Sequence, residues 1–572
     1  MKSKTSFFNK GLISSWLRRY CWVSILWSIL LFLAVPFSII NTKPDAIDAA
    51  IASDNYFMFI GSFGVIFSHA MLCIFPVITG AMVFSYLHSP KSATTLHGMP
   101  LSRARLFVNS LIAGLIHMII PFLVSGISIA VIIATMPIGK LITYTTLLLW
   151  LLDSLCTALI IYALTVFVGM FTGNLIAHMV FTYIIHFLPL AVFLSAIEIL
   201  HIFLHGYAYP DVPSFLTNMP MMSFRRHFSA ECCATYVLSS AALLIAAFLV
   251  YRKRPVESAG SIVSFRFLRP IFKYGATFCT MITGYSFYAA ASGKTHVSDI
   301  FGAILLMVLF AAVGYCAAQM LLSKTWRIWR AWKGLAVSII ITCALVGVLK
   351  FDVFGYEKYV PSSDITESIT LSGLSGTAGK KIVLDDKADI EKVISIHKLL
   401  ADSKNDSDEI LPVSGITISY STKRGSVRRS YSFSDENVSL KNAFIDLYLS
   451  KDLKTQGFAI LGGESPDRLK VITIRNMNGF EKVISDKKQI SALVNAYNTD
   501  IMNMSAEDLY NMDYAEDFCI LETEAEEPVL LTAPIERTYA STDVRRIYQA
   551  YYVKNNFSLT RAYIENNIYN QE

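Results

Sequence analysis

Charge is scarce in this chain. Asp, Glu, Lys and Arg make up 16% of its 572 residues and hydrophobic residues 54%, whereas about a quarter of a soluble domain is charged. Mean hydropathy is +0.49, a composition that excludes an ordinary water-soluble enzyme and points to a membrane protein. Acids are scarcest early: residues 1–349 hold nine Asp/Glu against 23 Lys/Arg, and 350–572 hold 34 against 26. Two differently solvated parts therefore meet near Lys350. Usable cysteine is the next shortage. Of nine cysteines only Cys519 lies in the polar part, so no disulfide staples that part to itself. The others fall in or beside apolar runs without CxxC or Cys/His spacing, which gives no zinc signature and reads as small buried apolar residues. A nucleotide-binding loop is also missing. GxxxxGK[ST] cradles phosphates with backbone amides and a lysine; the nearest approach, GLSGTAGKK from Gly373, has five residues between its glycines and Lys381 where Ser or Thr belongs. No HExxH, nucleophile-elbow or paired-carboxylate signature stands out, so catalysis on this chain is not expected.

What is present is a series of long apolar runs. A helix needs about 20 apolar residues to cross the hydrocarbon layer, and nine runs qualify: Trp22 to Ile40, Tyr56 to Phe84, Leu106 to Ile133, Ile142 to Phe171, Leu175 to Leu204, Glu231 to Val250, Ile271 to Ala290, Ile300 to Leu322 and Leu335 to Leu349. Pro76, Pro121 and Pro189 inside the longer runs suggest kinks or tilt. The N-terminal segment shows no small-residue cleavage pattern and reads as an uncleaved anchor. With the N-terminus inside, the inner segments carry 18 Lys/Arg and the outer ones five, the bias expected of cytoplasmic flanks. An odd number of spans then puts 350–572 outside the cell. KTWRIWRAWKG, Lys324 to Gly334, interleaves cations and aromatics as a nucleic-acid platform does, but at a span end it reads as interfacial anchoring by Trp326, Trp329 and Trp332.

One inner loop carries more design than a connection needs. In SYLHSPKSATTLHGMPLSRARLF, Ser85 to Phe107, Ser89 and Pro90 read as N-cap and first helical residue, Lys91 to His97 supply two turns, and Gly98 and Pro100 end them. Ser102 then caps the next span, with Arg103 and Arg105 at headgroup level. A short, stiff helix of this kind suits docking.

The string SPKSATTLHGMPLSRARLF resembles the cytoplasmic loop of type-2 ABC exporter permeases, and FVGMFTGNLIAH (Phe167 to His178), FLP (Phe187 to Pro189) and YRKRPVESAG (Tyr251 to Gly260) are similar in order and spacing to that family over residues 1–260. The resemblance implies that Ser89, Pro90, Lys91, Thr94, Thr95, His97, Arg103 and Arg105 belong to a coupling loop seated in a separate ABC ATPase subunit. ATP and Mg would be bound by that partner, and no cofactor by this chain. A second permease copy or related permease, and the lipid bilayer, are the other partners implied; nucleic acid is not. SFFNKGLISSWLRRY, with Phe8, Leu12, Trp16 and Tyr20 at four-residue spacing, fits an amphipathic interfacial helix. LSGLSG, Leu371 to Gly376, imitates an ABC signature in the wrong place.

Polar groups inside the runs are few. Asp153 lies near the middle of the fourth span and should face inward, as a translocation-path or structural residue. Glu198, His201 and His205 stand at i, i+3 and i+7 on one face; Glu198 and His201 join Asp153 as path candidates, and an interfacial polar face is favoured over a metal site. His117, His178 and His186 read as interhelical hydrogen-bonding residues. In the polar part, strand-like alternation precedes helices near Ala388 to Leu400, Leu440 to Leu449, Lys488 to Tyr497 and Val544 to Tyr552, and KIVLDDKADI from Lys381 echoes KVISDKKQI from Lys482. ISYSTKRGSVRRSYSF, Ile418 to Phe433, reads as a hairpin turning at Arg424-Gly425.

The expected architecture is a polytopic α-helical membrane protein of about nine transmembrane helices, a six-helix core plus three, with a C-terminal α+β extracytoplasmic domain of repeated ββα units. Its parts are an interfacial helix over 1–21, a core over 22–250, three added spans over 251–349 and the external domain over 350–572. The expected role is the plasma-membrane permease subunit of an exporter of a peptide, antimicrobial, drug-like or lipid-like substrate. The alternative is a membrane sensor whose external domain binds a peptide or envelope ligand and which signals to a cytoplasmic partner.

Overall fold

The computed structural model describes residues 8–41, 61–136, 142–222, 228–261, 264, 268–292, 300–323, 325–326, 332–377, 379–403, 414–433, 437–463, 466–476, 481–512, 517–525, 540–541, 544–545, 547–554 and 556–569. Trp329 and the N-terminal residues before Phe8 lie outside these ranges. The chain forms two compact units. The first takes up residues to Ser195, Asp211–Ser292 and Phe301–Thr342; the second includes Ala196–Pro210 and Cys343 onward.

The long helices of the first unit are α1 (Lys10–Ala34), α2 (Gly61–Val83), α4 (Arg103–Thr135), α5 (Tyr144–Phe171), α7 (Ala230–Lys253), α8 (Leu268–Ser292), α9 (Ile300–Ser323) and most of α6 (Leu175–Phe203) and α10 (Trp332–Lys350); α3 (Pro90–His97) is the short helix between α2 and α4. Among the described residues, eight helices are long and apolar enough to cross a membrane. The seventh expected run, Ile271 to Ala290, forms as α8, a 25-residue helix, but its Thr, Tyr, Gly and Ser residues dilute its apolar content below that of the eight. The eight leave large apolar side chains such as Leu238, Ile176 and Phe301 more than two-thirds exposed, a surface that water would not tolerate and hydrocarbon does. This is a polytopic helical membrane protein.

α1 bends at Tyr20, whose backbone leaves the helical region. The bend lets Trp16 stack on both Tyr20 and Tyr86 at just under 6 Å between ring centroids, while Tyr20 Oη shares a 2.8 Å hydrogen bond with Ser85 Oγ. Deeper, Trp27 lies parallel to Phe75 and edge-on to Phe122, each at 5.3 Å. Ser24 meets His117 Nδ1 at 2.6 Å, His178 Nε2 meets Thr165 O at 2.7 Å, and His186 Nε2 accepts from Met221 N at 3.0 Å. All three histidines thus meet hydrogen-bonding groups beyond their own helical turn, as buried polar groups must.

The second unit carries two four-stranded antiparallel sheets, ordered β2-β1-β3-β4 and β10-β7-β5-β6. The strands are β1 (Thr366–Ser372), β2 (Ile382–Leu384), β3 (Ser414–Thr422), β4 (Gly425–Phe433), β5 (Leu469–Asn476), β6 (Glu481–Ile484), β7 (Asp517–Ala525) and β10 (Ile547–Lys554), with a two-residue ladder of β8 (Ala540–Ser541) and β9 (Val544–Arg545) between the last two. Helix α11 (Lys387–Asp402) joins β2 to β3, and α13 (Lys487–Asn503) leads from β6 towards β7; α12 (Val438–Leu447) and α14 (Ser558–Ile564) follow β4 and β10. Both sheets therefore run through one order of elements. The echoed stretches sit at matching strand-to-helix junctions, where Asp386 and Asp486 accept from Ala388 N and Gln489 N as helix N-caps do. Period-two burial of Ile369 and Leu371 in β1, and of Ile472 and Ile474 in β5, feeds one continuous core that includes Val393 and Leu400 of α11 and Leu493 and Tyr497 of α13.

The hairpin forms with Thr422 opposite Gly425, so its turn is Lys423-Arg424, one residue before the expected one. The expected helix over Val544 to Tyr552 is corrected: Ile547–Lys554 is a strand paired along its length with β7. Its β-branched and aromatic residues suit a pleated surface, and apolar spacing in so short a run does not separate helix from strand.

Helix α14 is held by one buried carboxylate. Asp500 accepts from Leu559 N, Thr560 N and Thr560 Oγ1 at 2.7 to 3.1 Å, covering the free N–H groups that begin α14. Asp500→Ala is expected to destabilise this unit by about 1–3 kcal/mol, the cost of stranding buried donors, and hydrogen exchange on residues 556–569 should rise before exchange elsewhere.

Candidate functional site

The sequence-selected loop is built on the ends of two spans. Ser89 takes the N-cap backbone conformation and Pro90 the first helical position, though the Ser89 side chain makes no capping bond; Ser102 Oγ does cap α4, accepting from Arg105 N at 3.3 Å. An eight-residue helix has too few internal bonds to persist alone, so what stabilises α3 lies beneath it. Ala93 is buried. Ala93 and His97 close over Leu87, Tyr251, Arg254 and Val256, leaving a void of about 10 Å³. His97 Nε2 meets Tyr251 Oη at 3.2 Å and its Nδ1 meets Ala93 O at 2.8 Å.

Two arginines fix this seat. Arg254, 4% exposed, donates to Gly169 O, Thr172 O and Leu87 O at 2.5 to 2.9 Å. Gly169 and Thr172 close the end of α5, whose last carbonyls lack partners inside the helix and carry the negative end of its dipole. Arg103 donates to Tyr251 O, Arg252 O and Arg254 O at 2.9 to 3.3 Å, doing the same for α7. The cations that begin α4 and follow α7 therefore tie the loop to α5 and α7 through backbone carbonyls. Burial lowers the Arg254 pKa to about 10, opposed by the neighbouring Tyr86 and Tyr251, and the guanidinium stays charged at neutral pH.

The chain after Arg254 closes over the α5–α6 turn. Gly260 N donates to Gly173 O at 2.6 Å and Ser264 N to Phe171 O at 2.7 Å. A side chain at Gly173 would collide with the backbone of Ser258 and Ser261, so the close approach requires glycine. His88 lies beneath, 8% exposed, with Nε2 at 3.3 Å from Thr172 Oγ1 and its ring 4.9 Å from that of His178. Burial, then His178, then Arg254 push its pKa down to about 2, so it is neutral.

The opposite face of the loop is bare. Pro90, Lys91, Thr94, Thr95, Met99 and Pro100 are exposed, and the hydroxyls of Thr94 and Thr95 bond back to Pro90 O and Lys91 O, which leaves a smooth surface. Of the expected coupling residues, Pro90, Lys91, Thr94 and Thr95 share it and Ser89 is half-buried beside them; His97 and Arg103 turn inward. Arg105 stands on the first turn of α4, half-buried, and its carbonyl accepts from Asn109 Nδ2 at 2.6 Å.

The other candidates have partners of their own. Asp153, half-buried on α5, accepts from Cys233 Sγ of α7 at 3.7 Å. Glu198 Oε2 accepts from Tyr209 Oη at 3.2 Å and His201 stacks on the Tyr209 ring at 4.3 Å. His205 turns elsewhere: its Nε2 meets Leu400 O at 3.0 Å and its N–H donates to Glu357 Oε1. Helical spacing places these three on one face, but Tyr209 engages Glu198 and His201 while Leu400 and Glu357 draw His205 away. Among the described residues no group of three or more His, Cys, Asp or Glu side chains gathers as metal ligands. Arg254 and His88 are the residues that spacing overlooked. The available signal was Pro255, which ends α7 and makes Arg254 its C-cap.

Compared with known proteins, the chain matches no family model, no curated protein and no solved structure.

Arg254→Ala is expected to leave three carbonyls without their donor and to raise protease cleavage between residues 85 and 105 at least tenfold. Arg254→Lys should rescue only part of this, because an ammonium cannot reproduce the guanidinium fork. Acidification should act in the same direction. A buried histidine that stays neutral when folded contributes fully above the unfolded pKa near 6.5 and loses its contribution as pH falls below it, about 1.4 kcal/mol by pH 5.5. Melting between pH 7.5 and 5.5 should show this slope in the native chain and a smaller one in His88→Gln.

Proposed function

We propose that this chain is the membrane-spanning permease subunit of an ATP-driven exporter, with ATP and Mg bound by separate ABC ATPase subunits on the cytoplasmic side and a second permease copy or relative completing the path. The observation that carries the reading is the loop over residues 85–102: a short helix with a smooth exposed face, bound underneath to the ends of two spans by Arg103 and Arg254. A partner that presses on Pro90, Lys91, Thr94 and Thr95 displaces α5 and α7 together, because the carbonyl clamps leave the loop little independent movement. Work done elsewhere thus reaches the bundle, and this chain needs no nucleotide site of its own.

In this reading the N-terminus is cytoplasmic, the loop faces the ATPase, and α8 crosses the membrane despite its lower apolar content. The second unit then lies outside the cell, as a domain of duplicated ββα elements that receives or screens cargo. Supporting that sidedness, the outward end of the fifth span is part of this unit: Ser430 N donates to Gly206 O at 3.2 Å, and Tyr207 bridges to Arg429 of β4. Asp153 is the path candidate best placed between spans.

Lys91→Glu combined with Thr94→Trp should lower the amount of co-purifying ATPase about tenfold, the effect of losing roughly 1.4 kcal/mol at a docking surface, while melting stays unchanged. Cysteines placed at Thr95 and Lys451 should react with impermeant reagents from opposite faces of the membrane. Labelling of both from one face would end the proposal, and a purified chain that binds an external peptide but never an ATPase would favour a sensor.

A further inference from the structure

We propose that the cavity between α5, α6 and α8 is a site for the acyl chain of an anionic phospholipid, drawn from the leaflet on the side of the 85–102 loop. This inference rests on the chain being a membrane protein and stands whether or not an ATPase binds it. The cavity measures about 610 Å³, within the roughly 300–1,000 Å³ of small-molecule sites. Phe171, Phe181 and Ile184 form one side and Phe272, Gly275 and Ala276 the other; apart from Thr172, Cys279 and Thr280 the walls offer almost nothing but carbon. The cavity opens to the surface of the bundle, and water would find too few polar partners to fill it. At this depth the filler at hand is hydrocarbon.

Two features select an anionic lipid rather than passing solvent. Phe171 and Thr172 at the end of α5 line the cavity together with Ile271 and Phe272 near the start of α8, so the two helix ends lie level, where headgroups stand. Arg269 precedes Phe272 and Ala276 by three and seven positions and so shares their face of α8; it is exposed and stands within one turn of the lining residues Ile271 and Phe272, where a guanidinium pairs well with phosphate. Lys273 differs from it in being engaged with Tyr315 Oη at 3.1 Å. Gly275 supplies the missing wall. A Cβ there would meet nothing within 4 Å, so the absent side chain opens the space and a larger one would occupy it without disturbing its neighbours.

The test uses the full chain in nanodiscs containing phosphatidylglycerol or phosphatidylcholine that carries a photoreactive group at the end of one acyl chain. Phosphatidylglycerol should label the 271–280 segment about fivefold more than phosphatidylcholine, as one arginine at the surface gives. Gly275→Leu should abolish that labelling with melting unchanged, and Ile184→Trp, which fills the cavity from α6, should do so independently. Arg269→Gln should erase the preference between the two lipids while labelling persists. Undiminished labelling in both filled variants would overturn the site, and equal labelling by the two lipids in the native chain would overturn its anionic occupant.

Discussion

A guanidinium leaves water only where its N–H donors find acceptors, since an unpaired buried charge costs far more than a folded domain can spare. Arg254 meets that condition with backbone carbonyls alone. The end of α5 offers Gly169 O and Thr172 O, and the turn before α3 offers Leu87 O. The bond set is reciprocal. Helix-end carbonyls at the membrane rim need donors as much as the cation needs acceptors, and the dipole of α5 favours positive charge at that position. Arg103 repeats the solution at α7. From these two clamps follow the fixed seat of α3, the exclusion of water from His88 and the glycine at 173, over which the chain must pass closely.

A loop held in this way has an unusual division of labour. Its inner face carries Ala93, His97 and the two arginines' contacts, and its outer face carries residues whose hydroxyls are satisfied within the helix itself. Rigidity beneath and smoothness above are what a docking element needs, because ordering a flexible loop on binding would consume part of the interaction. The second unit handles its polar groups by the same rule. Asp500 there serves the start of α14 as the arginines serve the ends of α5 and α7, with the sign of the charge reversed to match the positive end of the helix.

The membrane part was legible because hydrophobic length is a one-dimensional property, and eight of the nine expected runs became helices apolar enough to span. The short helix over 90–97 was legible too, since Ser-Pro and Gly-x-Pro punctuation act locally. Reading failed where partners lie far away in the chain. Val544 to Tyr552 carries residues compatible with a helix or a strand, and only the unpaired edge of β7 decides between them. Glu198, His201 and His205 share a helical face by spacing, yet Tyr209 claims two of them and Leu400 and Glu357 the third. Arg254 was one cation among many in the segments between the apolar runs; its burial depends on α5 ending beside it.

Composition and pattern by themselves determined that this chain enters a membrane, roughly where it crosses, where its polar part begins and that one connecting loop is helical, because apolar length, charge bias and cap residues act over a few turns of chain. Tertiary structure alone decided which arginines turn inward, which strand completes β7 and where an apolar cavity stays open, because each of these is settled by acceptors, edges and side-chain volumes supplied by segments tens to more than a hundred residues away.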